Sequence, residues 1–506
     1  MTTSSVARPD AGHLPRRGVA ANVTALAASQ AITWSLTLLW TLVVPRALGP
    51  AGMGLVVTAL SATSILGLLL GLPTRDFVTR EIAARPAGAR GMVGSAMIFR
   101  AAMAPVFLAA VAVFAAVADL GTLGTTVLYL TTAATLFSLV AEPALAVFQA
   151  VERMEYLAYY EVLNKTCISL GGVTLALLGV KVLGLTVFGL AVAALSATVA
   201  VRWARRLVGV DLRPGARRVA AAARASVPYW TFGVFFMIYL WIDSVMLGLM
   251  TPAEVVGYYG VATKLFTTLM FVAVILATAT LPRLVAAFEE SWERLAVAAR
   301  APLELALVVS LPACVGAAMT AGDAVPLLFG ASFRPAVPVL VILSLCLPAM
   351  YLNIMLNQVL VAAKRPLVWS AVMLGATVVN PAVNAVLIPL AQHRWQNGAI
   401  GAAASLLVTE MLIVLAGLWV VGRHVFTAGT AWRLLRAGAA ATAMAAVMYA
   451  SSALGAVPEA IVGLATFVGC ALLLRVLSPD ERVVARAAAA RVLGRLGRRR
   501  RGGARA

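Results

Sequence analysis

The sequence predicts an all-α polytopic membrane protein of about fourteen transmembrane helices. They form two six-helix bundles related by a pseudo-two-fold axis along the membrane normal, plus two extra C-terminal helices. Three observations predict this. The 506 residues are 62% hydrophobic and only 12% charged, with a mean hydropathy of +0.95, whereas a soluble domain is roughly half apolar and about a quarter charged. Apolar runs long enough to span a bilayer, about 18 residues or more, recur along the whole chain. Basic residues avoid those runs and cluster between them.

A polar, basic tail, MTTSSVARPDAGHLPRRGVAANV, leads into the first run, which is too long for a signal-peptide core and is read as a retained helix over 19–44. LGPAGMG turns the chain into span two, 54–72. TRDFVTREIAAR then reads as a short helix lying on the membrane interface, with Asp76/Arg80 and Glu81/Arg85 at i, i+4. Spans three and four, 94–118 and 121–149, turn near residue 120. FQAVERMEY leads to spans five and six, 161–180 and 182–201, with little more than Lys181 between them. Spans seven and eight, 227–250 and 257–281, turn near residues 253–254 and end at TLPRL. Spans nine and ten are 301–320 and 336–363; LVAAKRPLVW leads to spans eleven and twelve, 367–390 and 398–421. The last two spans are 432–452 and 457–477. The expected organisation is a cytoplasmic N-tail (1–18), an N-terminal six-helix bundle (19–201), a basic cytoplasmic linker (202–226), a C-terminal six-helix bundle (227–425), helices 13–14 (426–477) and a basic cytoplasmic tail (478–506).

Charge tests the count independently of hydropathy. With the N-terminus inside, 34 of the 40 Lys and Arg fall in inner segments and only Arg46, Lys181, Arg334 and Arg394 in outer ones. That asymmetry is the positive-inside rule, and it places both termini in the cytoplasm. The net charge of +20 therefore reads as topology, with the Arg-rich tail facing anionic membrane lipids; no nucleic-acid partner is expected. Cys167, Cys314, Cys346 and Cys470 stand alone in apolar runs, and His13, His393 and His424 are scattered, so no metal site or disulfide is expected. The outer loops are short and their acidic residues isolated. No catalytic constellation, nucleotide-binding GxxxxGK[ST] loop or cofactor site is present in the pattern, so no enzymatic bond chemistry is expected.

Two stretches repeat. LGPAGMGLVVTA links spans one and two; MTPAEVVGYYGVATK links spans seven and eight. Leu-Pro recurs after spans two and eight, and a basic turn after four and ten. The offsets are similar: 203 from Gly54 to Gly257, 209 from Pro73 to Pro282, 212 from Arg153 to Arg365. Six helices is an even number, so the halves insert the same way up, with a substrate site expected between them.

WIDSVMLGLMTPAEVVGYYGVATKL, PRALGPAGMG, LGLPTRDFVTREIA and FQAVERMEYLAYYEVLNK together resemble the polysaccharide-repeat-unit flippases (Wzx-like, for O-antigen and other lipid-linked oligosaccharides) of the multidrug/oligosaccharidyl-lipid/polysaccharide exporter superfamily. The resemblance covers most of residues 19–425. It implies two six-helix bundles around a central cavity in a bacterial cytoplasmic (inner) membrane. It also implies alternating access that moves an undecaprenyl-diphosphate-linked oligosaccharide to the outer leaflet, driven by an ion gradient or the membrane potential. A polysaccharide polymerase or assembly proteins would be partners. The rival readings are a cation-coupled multidrug antiporter of the same superfamily, which commonly has twelve spans, and a membrane glycosyltransferase or polymerase, which would need larger outer loops.

Charges inside membrane spans are costly and mark candidate sites. Asp243 and Lys264 lie about ten residues either side of the seventh turn, at similar depth for a rise of ~1.5 Å per residue. They are either a pair locking two helices, or a cation for an anionic head group with its counter-ion or proton carrier. Arg100 and Glu142 match in depth to about 3 Å around the third turn; Arg100 either snorkels to the interface or meets pyrophosphate at the inner mouth. Pro143 should kink the helix there. Glu410 has no basic neighbour within helical reach and is either a proton-coupling group or a neutral acid bonded to another helix. Glu304 is expected to reach the interface. Asn353 and Asn357, and Asn380 and Asn384, share helix faces and either line a sugar cavity or bridge helices.

Overall fold

The computed structural model describes residues 19–421 and 426–476; the expected N-tail and basic C-terminal tail lie outside them. All regular structure among the described residues is helical. Sixteen α-helices there carry the fourteen expected spans. Helix α1 (Val19–Leu66) is broken at Gly49 (φ 68°, ψ 177°) and contains spans one and two. The broken conformation favours glycine, and Pro50 restarts the helix with its φ already set. Next come α2 (Arg75–Ala84), α3 (Ala89–Ala118) and α4 (Gly121–Ala150). The fifth span is α5 (Met154–Thr166) and α6 (Gly172–Leu177), separated by a π-turn at Cys167–Gly171. It is followed by α7 (Val182–Leu207) and α8 (Ala216–Met250). The eighth span is α9 (Ala253–Leu269) and α10 (Phe271–Glu290), followed by α11 (Trp292–Phe329), α12 (Ala336–Ala362), α13 (Pro366–Trp395), α14 (Gly398–Val421), α15 (Ala428–Ala450) and α16 (Ala456–Leu473). Among the described residues, eleven helical runs are long and apolar enough to cross a membrane. The Ala-rich sequence of the expected linker, a strong helix former, extends α8 back to Ala216.

The chain divides into two compact units, residues 1–260 with 384–399, and 261–383 with 400–506. In the first, α2, the start of α3 and the ends of α4 and α7 share a core of Val78, Ile82, Val93, Ala144, Phe148, Ala200 and Ala204. Helix α2 is therefore packed into the protein as well as amphipathic. Its Thr74 cap accepts from the Phe77 amide, and its Glu81 binds Arg85 at 3.1 Å. Arg80 instead donates to the Tyr229 hydroxyl at 2.9 Å. Further bonds tie the start of α8 to the same corner: the Thr74 amide donates to Ser226 Oγ and the Trp230 indole to the Leu68 carbonyl.

The repeat is visible where α1 crosses α9. A Cβ on Gly54 would fall 1.7 Å from the Ala253 carbonyl oxygen, and one on Gly257 would fall 2.1 Å from that of Pro50. At the offset of 203 that relates Gly54 to Gly257, each contact is the image of the other. Val57, whose side chain lies against Gly260, meets its own image. That reciprocity is what a two-fold axis produces.

In the second unit α12 is central, with Val339, Leu343, Leu347 and Leu356 almost wholly buried. Helices α15 and α16 pack on α11 through Val308, Ala437, Ala441, Met444, Met448 and Phe467. Glu304 does not reach the interface. It is buried and accepts from Arg433 Nη1 at 2.7 Å and from the Thr430 hydroxyl, because α15 covers that face of α11. The break between α9 and α10 leaves the Leu269 carbonyl to the Tyr351 hydroxyl, 2.6 Å away.

Candidate functional site

Three polar clusters sit inside the helical mass. The first joins α3 and α4. Arg100 is 0% exposed. Its Nη1 donates to the Glu142 carboxylate and to the Leu139 carbonyl, and its Nη2 to the Pro73 carbonyl at 2.8 Å. Pro143 explains the second bond. Having no N–H, it leaves the carbonyl four residues earlier, that of Leu139, without a helical partner. Arg100 supplies the missing donor. Glu142 is one-third exposed, so the pair is open on the carboxylate side only.

The second cluster lies within the first unit. Asp243 is 5% exposed and accepts from the Tyr259 hydroxyl at 2.7 Å and from Asn384 Nδ2 at 2.6 Å. The α8–α9 turn falls at Thr251–Pro252, two residues earlier than the sequence suggests. That shift brings the residue level with Asp243 forward from Lys264 to about Tyr259. Lys264 is exposed on the second-unit part of α9.

The third cluster lies in the second unit. Asn353 Nδ2 on α12 donates to Glu410 Oε2 on α14 at 2.6 Å and to the Glu410 carbonyl at 3.2 Å. Both are buried, and Asn353 Oδ1 has no partner. Asn357, one turn on, is half-buried, and Asn380 is wholly buried. The structure thus brings together Arg100 with Glu142, Asp243 with Asn384, and Asn353 with Glu410. Among the described residues no group of three His, Cys, Asp or Glu could hold a metal ion.

Residues 19–288, more than half of the chain, match the family model described as polysaccharide biosynthesis protein. The chain belongs to that family. No curated protein matches it. Its fold is similar to that of a structure described as lipid II flippase MurJ in an inward closed conformation. There the TM-score is 0.73 at 12% identity, over 90% of this chain and 99% of that one. It is also similar to an inward-facing multidrug resistance MATE family transporter of the MOP superfamily, with a TM-score of 0.58 at 17% identity over 79% and 98% of the two chains. An outward-facing transporter of that kind gives 0.51 at 17% identity, over 80% and 96%. This polysaccharide biosynthesis protein accordingly has a polytopic, all-helical membrane-protein fold like that of those flippase and transporter structures.

Two residues of this family member escape a reading by hydropathy. Tyr259 looks like packing until it is seen on Asp243. Arg75 looks like one more loop cation. It is half-buried, its Nε is buried with no hydrogen-bond partner, and it makes no ion pair among the described residues. It also opens α2, where the positive end of the helix dipole disfavours a cation. Tyr160 lies within electrostatic range of both Arg75 and Glu142. The misplaced cation at a helix start is the signal the sequence does carry.

Proposed function

We propose that this protein is a flippase for an undecaprenyl-diphosphate-linked oligosaccharide, which it carries from the inner to the outer leaflet of a bacterial cytoplasmic membrane for polysaccharide biosynthesis. Both termini lie in the cytoplasm, and transport proceeds by alternating access coupled to an ion gradient or the membrane potential. The observation that carries this reading is the family match over residues 19–288; the likeness to a lipid II flippase fold supports it. Arg75 and Lys264 attract the diphosphate, to which each offers charge-assisted hydrogen bonds. Arg100 and Glu142 hold the inner corner to which Arg75 belongs. Asp243, with Asn384 and Tyr259, and Glu410, with Asn353, are the coupling carboxylates. Asn357 and Asn380 complete a polar lining for sugars. Anionic lipids and a polysaccharide polymerase or assembly proteins are the partners.

The test is complementation of a glycan-export defect. Losing one charge-assisted contact costs about 1.5–3 kcal/mol, so Arg75→Ala and Lys264→Ala should each lower export roughly 10–100-fold at unchanged membrane levels. Normal export by both variants removes the diphosphate contact. Asp243→Asn keeps the side-chain shape. Folded protein whose export no longer responds to the ion gradient supports coupling at Asp243; unchanged gradient dependence rejects it. Drug efflux without glycan export would transfer the protein to the antiporter reading.

A further inference from the structure

Outside these clusters, a cleft of about 540 Å³ opens between α4 and α7, lined by Phe137, Val140, Ala197, Val201 and three arginines, Arg202, Arg205 and Arg206. Its volume is within the range of ligand sites, about 300–1,000 Å³. The arginines are at i, i+3 and i+4, so they share one face of the last turns of α7. The opposite face is fixed. Ala200 and Ala204 are 0% exposed in the inner core, and Trp203 lies edge-on to Phe148 and Tyr156, with ring centroids 6.2 and 5.4 Å apart. Helix α7 therefore cannot rotate its arginines away from the cleft.

None of the three guanidiniums makes a hydrogen bond or ion pair among the described residues. Three like charges at one helix end repel one another, although the helix dipole favours cations there. The cleft changes character along its length. Phe137 and Ala197 lie about ten residues or more before the helix ends, and the arginines lie in the last turns. The apolar lining itself runs from Phe137 to Ala141 and from Ala197 to Val201, which at ~1.5 Å per residue is roughly 6 Å of wall below a cationic rim. A soluble anion would match the rim and waste the wall. An ordinary snorkelling arginine needs neither a cleft nor two neighbours.

We infer that the α4–α7 cleft is a binding site for an anionic phospholipid, with its headgroup phosphate held by Arg202, Arg205 and Arg206 and the first acyl methylenes lying against Phe137, Val140 and Val201. The lipid is a resident of the bilayer and not transported cargo. Basic clefts between transmembrane helices recognise phospholipid headgroups in this way, and guanidinium forks suit phosphate oxygens.

The experiment is native mass spectrometry of the full chain, released from nanodiscs of phosphatidylglycerol mixed equally with phosphatidylcholine. The wild type should retain phosphatidylglycerol in at least tenfold preference. The R202Q/R205Q/R206Q variant should lose that preference with an unchanged Tm. Ala197→Trp, which fills the apolar wall without touching a charge, should lose it too. An R499Q/R500Q/R501Q control in the tail should keep it. Undiminished preference in the Arg202 triple variant, or in a folded Ala197→Trp, overturns the site. So does equal loss in the tail control, which would reduce the effect to overall charge.

Discussion

Arg100 joins a proline-generated orphan carbonyl, a carboxylate and a second carbonyl. Removing it strands the two carbonyls in a medium of low dielectric and leaves the part-exposed Glu142 without its cation. Breaking one side of a buried pair costs about 3–5 kcal/mol. Arg100→Ala is therefore expected to reduce folded protein in the membrane and lower its Tm, and Arg100→Lys should not rescue it, because a single ammonium nitrogen cannot occupy both the Nη1 and the Nη2 positions from which the three acceptors are reached. A variant of normal Tm and poor export would return Arg100 to the role of a substrate contact. Glu410 invites the opposite expectation. Glu410→Gln keeps an oxygen for Asn353 Nδ2 and should cost no more than about 1 kcal/mol, whereas Glu410→Leu removes the side-chain acceptor from Asn353, which is already short of a partner at Oδ1. If Glu410 carries a proton during transport, Glu410→Gln exports at a rate independent of the pH gradient; a retained gradient dependence assigns it to packing alone.

At the scale of elements, the crossing of α1 and α9 rests on glycine. The obstacles at Gly54 and Gly257 are backbone carbonyls, which cannot rotate aside as a side chain can. Gly54→Ala and Gly257→Ala should each cost about 1–3 kcal/mol in thermal unfolding, as overpacking does, and by similar amounts, because the two contacts are images of each other. At Gly189, within α7, a Cβ would meet nothing within 4 Å; Gly189→Ala should be neutral or stabilising by about 0.5–1 kcal/mol. Unequal costs at Gly54 and Gly257 would undo the two-fold reading. This crossing also marks how much the sequence could reveal. Gly54, Gly257 and their offset were legible because repeat and turn chemistry are local, and so was the Arg100–Glu142 depth match, which needs only a short hairpin. The Asp243 cluster was half legible: a buried carboxylate beside a short hairpin could be read, but its partners Tyr259 and Asn384 carry no charge to announce them. Glu304 with Arg433, 129 residues apart, and Asn353 with Glu410, 57 apart, were not legible as pairs. No local periodicity says which helix will cover a face. The α9–α10 break at Met270 has neither Gly nor Pro to announce it.

For the whole molecule, the distribution of charge carries a prediction about orientation that no single helix contains. The basic loops and the short, nearly uncharged ones alternate through fourteen spans, and each further basic loop on one side makes the inverted topology less favourable. Single cysteines on a background lacking Cys167, Cys314, Cys346 and Cys470 can read it. Cysteines replacing Thr122, at the start of α4, and Ala331, just beyond α11, should react with a membrane-impermeant thiol reagent on intact cells. Cysteines replacing Arg213, between α7 and α8, and Glu289, at the end of α10, should react only after permeabilisation. All four positions are exposed, at helix ends and outside the buried clusters, so the substitutions should leave the fold intact. The four positions discriminate more than orientation. If spans five and six made a single crossing, everything after them would change sides: Arg213 and Glu289 would label from outside together with Thr122, and Ala331 would be protected. Labelling of Thr122 and Ala331 on intact cells, with Arg213 and Glu289 protected, is the pattern that two crossings there and an inner N-terminus produce.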